Sequence, residues 1–256
     1  MEGEEDMIIK TKLLESVITF LNKNIIINLN IIGFIENEPD ADIYVDNEKL
    51  PTGVVAKKGY FNFIFTQNDK FLDEALDTLY NDGFYGFSGV YRPLAQKIKS
   101  KFKIEWESRC ALYYYPSNQI DMSLIKNTVK CAQINDAETI NYYYTYKDET
   151  SLERIKLDLQ KRYSSAVYVN GDIACWVLIH NDQSMGIMYT KKEYRKMGYA
   201  VDVTIDLTNK ILKSGRIPFL QITEENIMSP GLAKKCGFIH DGVFSDWFGI
   251  VSGQSQ

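Results

Sequence analysis

Apolar residues along Thr11–Phe20 fall at Leu13, Leu14, Val17 and Ile18, with Leu21 just beyond, a spacing that predicts a helix. Three β-rich stretches follow at Ala41–Val45, Gly53–Ala56 and Tyr60–Phe65. Asp69 then opens a helix as its N-cap, with Phe71, Leu72, Ala75, Leu76 and Leu79 on one face, and Asn81-Asp-Gly83 closes it. Phe84–Val90 reads as a strand and Pro93–Lys101 as a short helix. The second half repeats this order. Ser151 caps a helix running through Tyr163, strands are expected at Ser165–Asn170, Ile173–His180 and Met185–Thr190, and a helix covers Tyr199–Ser214. The inner face of that helix is Ala200, Val203, Leu207 and Ile211, with Gly215 as its stop. Pro218–Thr223 is a strand, and Ser229–Cys236 a short helix with Ser229 as N-cap and Pro230 first inside.

The two halves can be set in register. Tyr44-Val-Asp46 matches Tyr168-Val-Asn170, Phe65-Thr66 matches Tyr189-Thr190 at the same separation, and Pro93-Leu-Ala95 echoes Pro230-Gly-Leu-Ala233. Matched spacing over three elements indicates an internal duplication. The boundary falls in Pro116–Thr128, giving domains 1–125 and 126–256.

Candidate chemistry concentrates in Met185-Gly-Ile-Met-Tyr-Thr-Lys-Lys-Glu-Tyr-Arg-Lys-Met-Gly-Tyr-Ala200. A strand ends at Thr190, a turn follows, and Arg195-x-x-Gly198-x-Ala200 opens a helix. Free N–H groups in such a loop, with the positive end of the helix dipole behind them, suit a pyrophosphate. Gly198 and Ala200 allow close backbone approach, and Arg195 adds a fixed charge.

In these residues the chain resembles the GNAT superfamily of acyl-CoA N-acyltransferases. Arg195, Gly198 and Ala200 fit its [R/Q]-x-x-G-x-[G/A] loop, and Asn226-Ile-Met-Ser229-Pro-Gly-Leu232-Ala-Lys-Lys-Cys-Gly237-Phe238 fits a second motif, together covering roughly residues 127–256. The approach through Tyr194-Arg195 looks most like the glycine N-acyltransferase-like branch, whose members carry a degenerate GNAT-like domain ahead of the active one. The resemblance implies an α/β protein (a mixed α+β GNAT fold) of two tandem GNAT-like domains, each with a mixed, mostly antiparallel sheet flanked by helices. It implies acetyl-CoA or another acyl-CoA as co-substrate, without a metal. Met188, Tyr189 and Thr190 would hold the acyl carbonyl and pantetheine arm. Arg195, Lys196, Met197, Gly198, Tyr199 and Ala200 would bind the pyrophosphate through their N–H groups. Asn226 and Ser229 would contact the pantetheine–phosphate region, and the strands ending at Thr190 and Thr223 should splay. Aligned on Thr66, the positions of Arg195, Gly198 and Ala200 hold Phe71, Glu74 and Leu76, so one cofactor per chain is expected.

The side-chain catalysts depart from the pattern. The glutamate that many GNAT enzymes place eleven residues before the loop is Ser184 here, and the tyrosine placed seven residues after the asparagine is Ala233. Candidate proton acceptors are Ser184 with a helper, Glu224 or Glu225, Asp182, His180, or ordered water. Tyr189 or Tyr199 could supply the acid. Each has a plainer reading: Glu224 and Glu225 as a solvated pair, Asp182 as a turn residue, His180 as a surface histidine, and the tyrosines as packing.

Composition narrows the rest. Of 256 residues 45% are hydrophobic and 25% charged, the balance of a globular protein. The acidic start Met1–Asp6 reads as a frayed end rather than an export signal, and a cytoplasmic location follows. Four dispersed cysteines and two histidines exclude a zinc framework or a disulfide scaffold. A net charge of -5 gives nucleic acid no attraction, and no apolar run can span a membrane. Lys97, Lys99, Lys101 and Lys103 read as an anion patch or, preferably, a solvated helix end running into a strand. Tyr113–Tyr115, Tyr142–Tyr144 and Tyr146 could line an acceptor pocket, but packing is preferred. The function expected is N-acyl transfer, most simply acetylation, to a small-molecule amine or amino acid. The alternatives are a non-catalytic acyl-CoA-binding module and an aminoacyl-tRNA-dependent transferase, the latter disfavoured by the negative charge. Nucleic-acid and membrane partners are not expected, and a monomer or homodimer both remain open.

Overall fold

The computed structural model describes residues 8–12 and 14–253; the acidic start and Leu13 lie outside them. The strands are β1 (Ile9–Thr11), β2 (Asp42–Val45), β3 (Gly53–Lys58), β4 (Phe61–Thr66), β5 (Gly83–Tyr91), β6 (Lys103–Tyr114), β7 (Ser164–Val169), β8 (Asp172–Ile179), β9 (Met185–Thr190), β10 (Phe219–Thr223) and β11 (Phe244–Ser252). The helices are α1 (Leu14–Asn22), α2 (Ile25–Asn37), α3 (Asp69–Leu79), α4 (Arg92–Lys99), α5 (Ala137–Tyr143), α6 (Ser151–Lys161), α7 (Tyr199–Lys213) and α8 (Ser229–Lys235). The order β2-β3-β4-α3-β5-α4-β6 recurs as β7-β8-β9-α7-β10-α8-β11.

The chain divides into two compact units, residues 1–112 with 242–256, and residues 113–241. The division differs from the one expected at 125 because the last strand belongs to the first unit. There β11 lies between β5 and β6 and is antiparallel to both. The sheet of the first unit runs β1-β2-β3-β4-β5-β11-β6, antiparallel except for β4 with β5. Asp246 of β11 is fully buried, and its carboxylate accepts from Arg92 Nε at 2.9 Å and Lys99 Nζ at 2.7 Å. Phe71, Leu72, Ala75 and Leu76 of α3 pack on one face of this sheet with Phe87 and Phe248. The other face is covered by Val17, Leu21, Ile31, Phe34 and Ile35 of α1 and α2.

The second unit is built on the antiparallel meander β7-β8-β9. Ile140, Ile155, Ala166, Trp176 and Leu178 form its core toward α5 and α6, while Val203, Leu207 and Ile211 are the buried positions of α7. Ala200 of the expected inner face is only half-buried.

Several local expectations change. The segment Thr11–Phe20 begins as β1, and its helix starts at Leu14. Asn68, not Asp69, caps α3, accepting from the N–H groups of Lys70 and Phe71. Ser151 is the first residue of α6 rather than its cap; its buried hydroxyl donates to Asn141 Oδ1 at 2.6 Å. Ser229 is likewise inside α8, and Asn226 receives the N–H groups of Met228 and Ser229. The lysine run is no anion site: Lys97 pairs with Asp69, Lys99 with Asp246 and Glu107, Lys101 with Asp73, and Lys103 with Glu105.

Candidate active site

The site begins on β9, an edge strand that among the described residues forms a ladder with β8 alone. Trp176 pairs with Tyr189 and Leu178 with Gly186, so Ile187 and Met188 together face the single residue Val177. Ile187 adopts φ 49°, costly for a β-branched residue. This β-bulge takes backbone groups out of the ladder at the place where the sequence expects an acyl carbonyl to lie. The strand β10 lies near β9 but belongs to a separate ladder, and among the described residues no ladder joins the two. Unpaired strands are what the expected splay requires.

Tyr189 points to the α5 side, stacked on Tyr143 at 4.6 Å between ring centroids and 5.6 Å from Trp176. Met188 points the other way, its sulfur 4.0 Å from the Thr204 hydroxyl of α7. Thr190 ends the strand with its hydroxyl 3.0 Å from Cys175 Sγ. Burial pushes that thiol up to about 11, so it stays protonated and inert.

Beyond Thr190 the chain makes a single turn over Lys192–Tyr194 and then opens. Arg195 folds back, its Nε donating to the Thr190 carbonyl at 3.3 Å and its guanidinium 5.6 Å from the Tyr189 ring centroid. Lys196 (φ 66°) and Gly198 (φ 87°) are both left-handed, which curls the backbone into a concave run of N–H groups. Among the described residues no backbone carbonyl receives the N–H of Lys196, Met197, Gly198, Tyr199 or Ala200. Gly198 caps α7 without a side chain, and the volume a Cβ would occupy there is open. Lys191, Lys192, Arg195 and Lys196 make the segment cationic. The one acid of the first turn, Asp202, is buried, its carboxylate taken by Lys126 N–H at 3.0 Å and Asn127 Nδ2 at 2.6 Å. These features together fit a pyrophosphate.

The other expected contacts stand as follows. Asn226 and Ser229 are joined, Asn226 Nδ2 donating to Ser229 Oγ at 2.9 Å at the start of α8. Glu224 and Glu225 are exposed past the end of β10. Ala233 is buried in α8. Ser184, by contrast, is buried directly before β9, and its hydroxyl donates to Asp182 Oδ1 at 2.5 Å. His180 packs its ring on Gly186, where a Cβ would lie 2.2 Å from Nε2. The link from Ser184 to Asp182 and the Ile187 bulge escaped the sequence reading. The former was visible only as a turn signal, and the latter has no residue signature. Tyr113 and Tyr115 pack against His240 and Phe238, as the packing alternative held.

The corresponding elements of the first unit are arranged differently. Only two residues, Gln67 and Asn68, connect β4 to α3, and Asn68 fills the helix end. Phe71 and Leu76, aligned with Arg195 and Ala200, are core residues. The strands β4 and β5 pair at Phe61–Gly86 and Asn62–Phe87 and then separate, but Asn30 of α2 donates its amide to the Ser88 and Gly89 carbonyls at 3.0 Å each.

The fold has counterparts among known proteins. Residues 167–247 match the family model described as FR47-like protein. No curated protein matches the chain. A Drosophila protein of known structure aligns with TM-score 0.77 at 12% identity, covering 98% of this chain and 100% of its own. A tandem GNAT protein from the clavulanic acid biosynthesis pathway, solved without AcCoA, aligns with TM-score 0.58 at 10% identity over 97% and 99%. A GNAT-family acetyltransferase from Colwellia psychrerythraea aligns with TM-score 0.55 at 12% identity over 95% and 99%. The fold is therefore the mixed α/β fold of GNAT proteins in tandem.

Proposed function

We propose that the chain is an acyl-CoA-dependent N-acyltransferase that moves an acyl group, most simply acetyl, to the amine of a small molecule or amino acid. The observation that carries this is the continuity from the bulged edge of β9 through Arg195 to the uncapped N-terminus of α7. A pyrophosphate on the N–H groups of residues 196–200 would leave a pantetheine arm to run along β9 and its thioester beside the bulge. The acyl-CoA supplies an activated carbonyl. The protein's share is to align it, to offer a backbone N–H at Met188–Tyr189 to the developing oxyanion, and to hold the leaving thiolate's acid, for which Tyr189 is placed. Within this reading the glycine N-acyltransferase-like branch is the nearest, with residues 126–256 as the active domain and the first half degenerate. Asn68 and Asn30, which close the corresponding features of the first unit, support one cofactor per chain. The chain is proposed to act in the cytoplasm on soluble small molecules, without nucleic acid, membrane or metal.

A second reading is favoured by Ala233, which leaves α8 without the usual acid: a module that binds acyl-CoA without turnover. Calorimetric titration with acetyl-CoA and CoA, comparing wild type and Gly198→Glu, tests the common premise. Saturable binding that the variant loses supports it, and thiol release in an amine screen then separates enzyme from binder. Absence of binding by the wild type overturns both.

A further inference from the structure

At the head of β9 lies a buried polar cluster that the donor site does not use. Asp182 is fully buried. Its Oδ1 accepts from Ser184 N–H at 3.0 Å and Ser184 Oγ at 2.5 Å, and its Oδ2 has no hydrogen-bond partner among the described residues. Ser184 is itself buried, and its carbonyl receives His180 N–H at 2.9 Å. Behind them α6 contributes Asp158, buried and paired with Arg162. Burial holds the Asp158 carboxyl above its usual range, with the charges of His180 and Arg162 working against that and the charge of Asp182 adding to it.

The charge count gives this cluster a direction. The pair Asp158–Arg162 is internally neutral, and among the described residues no cation is paired with Asp182. A buried carboxylate oxygen without a hydrogen-bond partner has lost the donors it would find in water, which is costly. The other oxygen, Oδ1, takes both the N–H and the hydroxyl of Ser184, which the turn aims at it. Ser184 stands three and four residues before Ile187 and Met188, about 10–13 Å along the strand at roughly 3.3 Å per residue. At that distance Ser184 does not touch the transfer point, so a proton exchanged between them has to pass through water.

We propose that Ser184 and Asp182 form the proton-accepting pair of the transfer site, with Ser184 as the exchange point and Asp182 as the holder. This rests on the N-acyltransferase reading. An acceptor ammonium gives one proton through water to Ser184 Oγ, and Ser184 passes its own hydroxyl proton to Asp182 Oδ1. The neutral amine attacks the thioester carbonyl, the C–S bond breaks, Tyr189 protonates the departing thiolate, and the new amide nitrogen gives up the proton that restores Tyr189. Asp182 returns its proton to solvent along the same path, so one proton is released per turnover. Asp182 is a positioning residue in this scheme, since it acts through Ser184.

The test compares wild type, Asp182→Asn, Ser184→Ala and the double variant, with acetyl-CoA as donor and glycine, phenethylamine and spermidine as probe acceptors. Thermal melts and calorimetric acetyl-CoA affinity serve as controls and are expected to change less than threefold. Each single variant should lower kcat/KM at pH 7 by about 100-fold, within the usual span for general-base loss. The deficit should close as pH approaches the amine's own pKa, where no proton needs removal. The double variant should be no worse than either single one, because the two act in series. A deficit that is constant with pH, or that multiplies in the double variant while acetyl-CoA still binds, overturns the pair. Wild type that binds acetyl-CoA but acylates none of the three overturns the transfer reading and the pair with it. If a single variant fails to fold, Ser184→Thr, which keeps the hydroxyl, decides: retained activity with the same pH profile supports the relay, and loss overturns it.

Discussion

Asn68 and Gly198 hold the same place, the N-cap, in the helices that follow the two antiparallel meanders, and they leave those helix ends in opposite states. Asn68 gives its side-chain oxygen to two N–H groups of α3, whereas Gly198 gives nothing to α7. Asn68→Ala is expected to cost about 1 kcal/mol of unfolding free energy, the usual worth of such a cap, while leaving acetyl-CoA affinity unchanged. Gly198→Ala should cost about 1–2 kcal/mol for its left-handed backbone. Gly198→Glu should also place a carboxylate in the open volume and lower acetyl-CoA affinity at least tenfold. Chemical denaturation and calorimetry of the three variants read both effects.

Asp246 fastens the last strand into the first unit, and its partners come from α4. Burial works to lower the Lys99 ammonium, but the hydrogen bonds from Lys99 to Asp246 and Glu107 outweigh it and hold it above its ordinary value. Removing one partner from a buried pair leaves uncompensated charge, so Asp246→Ala is expected to cost about 3–5 kcal/mol. Urea unfolding measures this directly. Glu107→Ala, which removes an exposed partner of the same lysine, should cost less than about 1 kcal/mol.

The Asp158 carboxyl carries a signature in the pH dependence of stability. Its folded value lies above the ordinary 3.8, chiefly through burial. Between the two values the native state keeps a proton that the unfolded chain has released. Stability contributed by this group is therefore present at low pH and lost as pH rises through that window. Asp158→Asn is expected to flatten this slope while lowering stability overall, because Arg162 loses its partner. Unfolding free energies at intervals from pH 4 to 7 give the slope for both proteins.

The order of elements around the candidate site was legible because its residues carry local signals. Val203, Leu207 and Ile211 mark α7 by period, Gly215 marks its end, and Met185–Thr190 coincides with β9. Elements without contrast were missed. The helix α2 is apolar on nearly every side, with Asn28 and Asn30 buried among isoleucines, so no periodic face stands out. Buried on most positions between two strands, β11 has no alternation, and nothing local says that it pairs within the first unit. The Ile187 bulge runs against the preference of its own residue, so only the fold around it can explain it.

Tyr189 separates two demands on one side chain. Its ring is held by the stack on Tyr143 and by Arg195, and its phenol is the nearest side-chain acid to the bulge along β9. Tyr189→Phe keeps the ring and removes only the hydroxyl, so folding and acetyl-CoA affinity should be preserved. Loss of a general acid should lower thiol release by about 100-fold and by more for acceptors of low basicity, whose intermediates expel the thiolate less readily. Tyr189→Ala removes the ring as well. It should cost stability by about 1 kcal/mol or more from the lost stack, and free Arg195 from its place beside β9. Melting temperature, calorimetric affinity and thiol release on both variants divide packing from chemistry. Equal activity of Tyr189→Phe and wild type would leave water as the proton source for the thiolate, and would leave Tyr189 the role of holding Arg195 at the mouth of the loop.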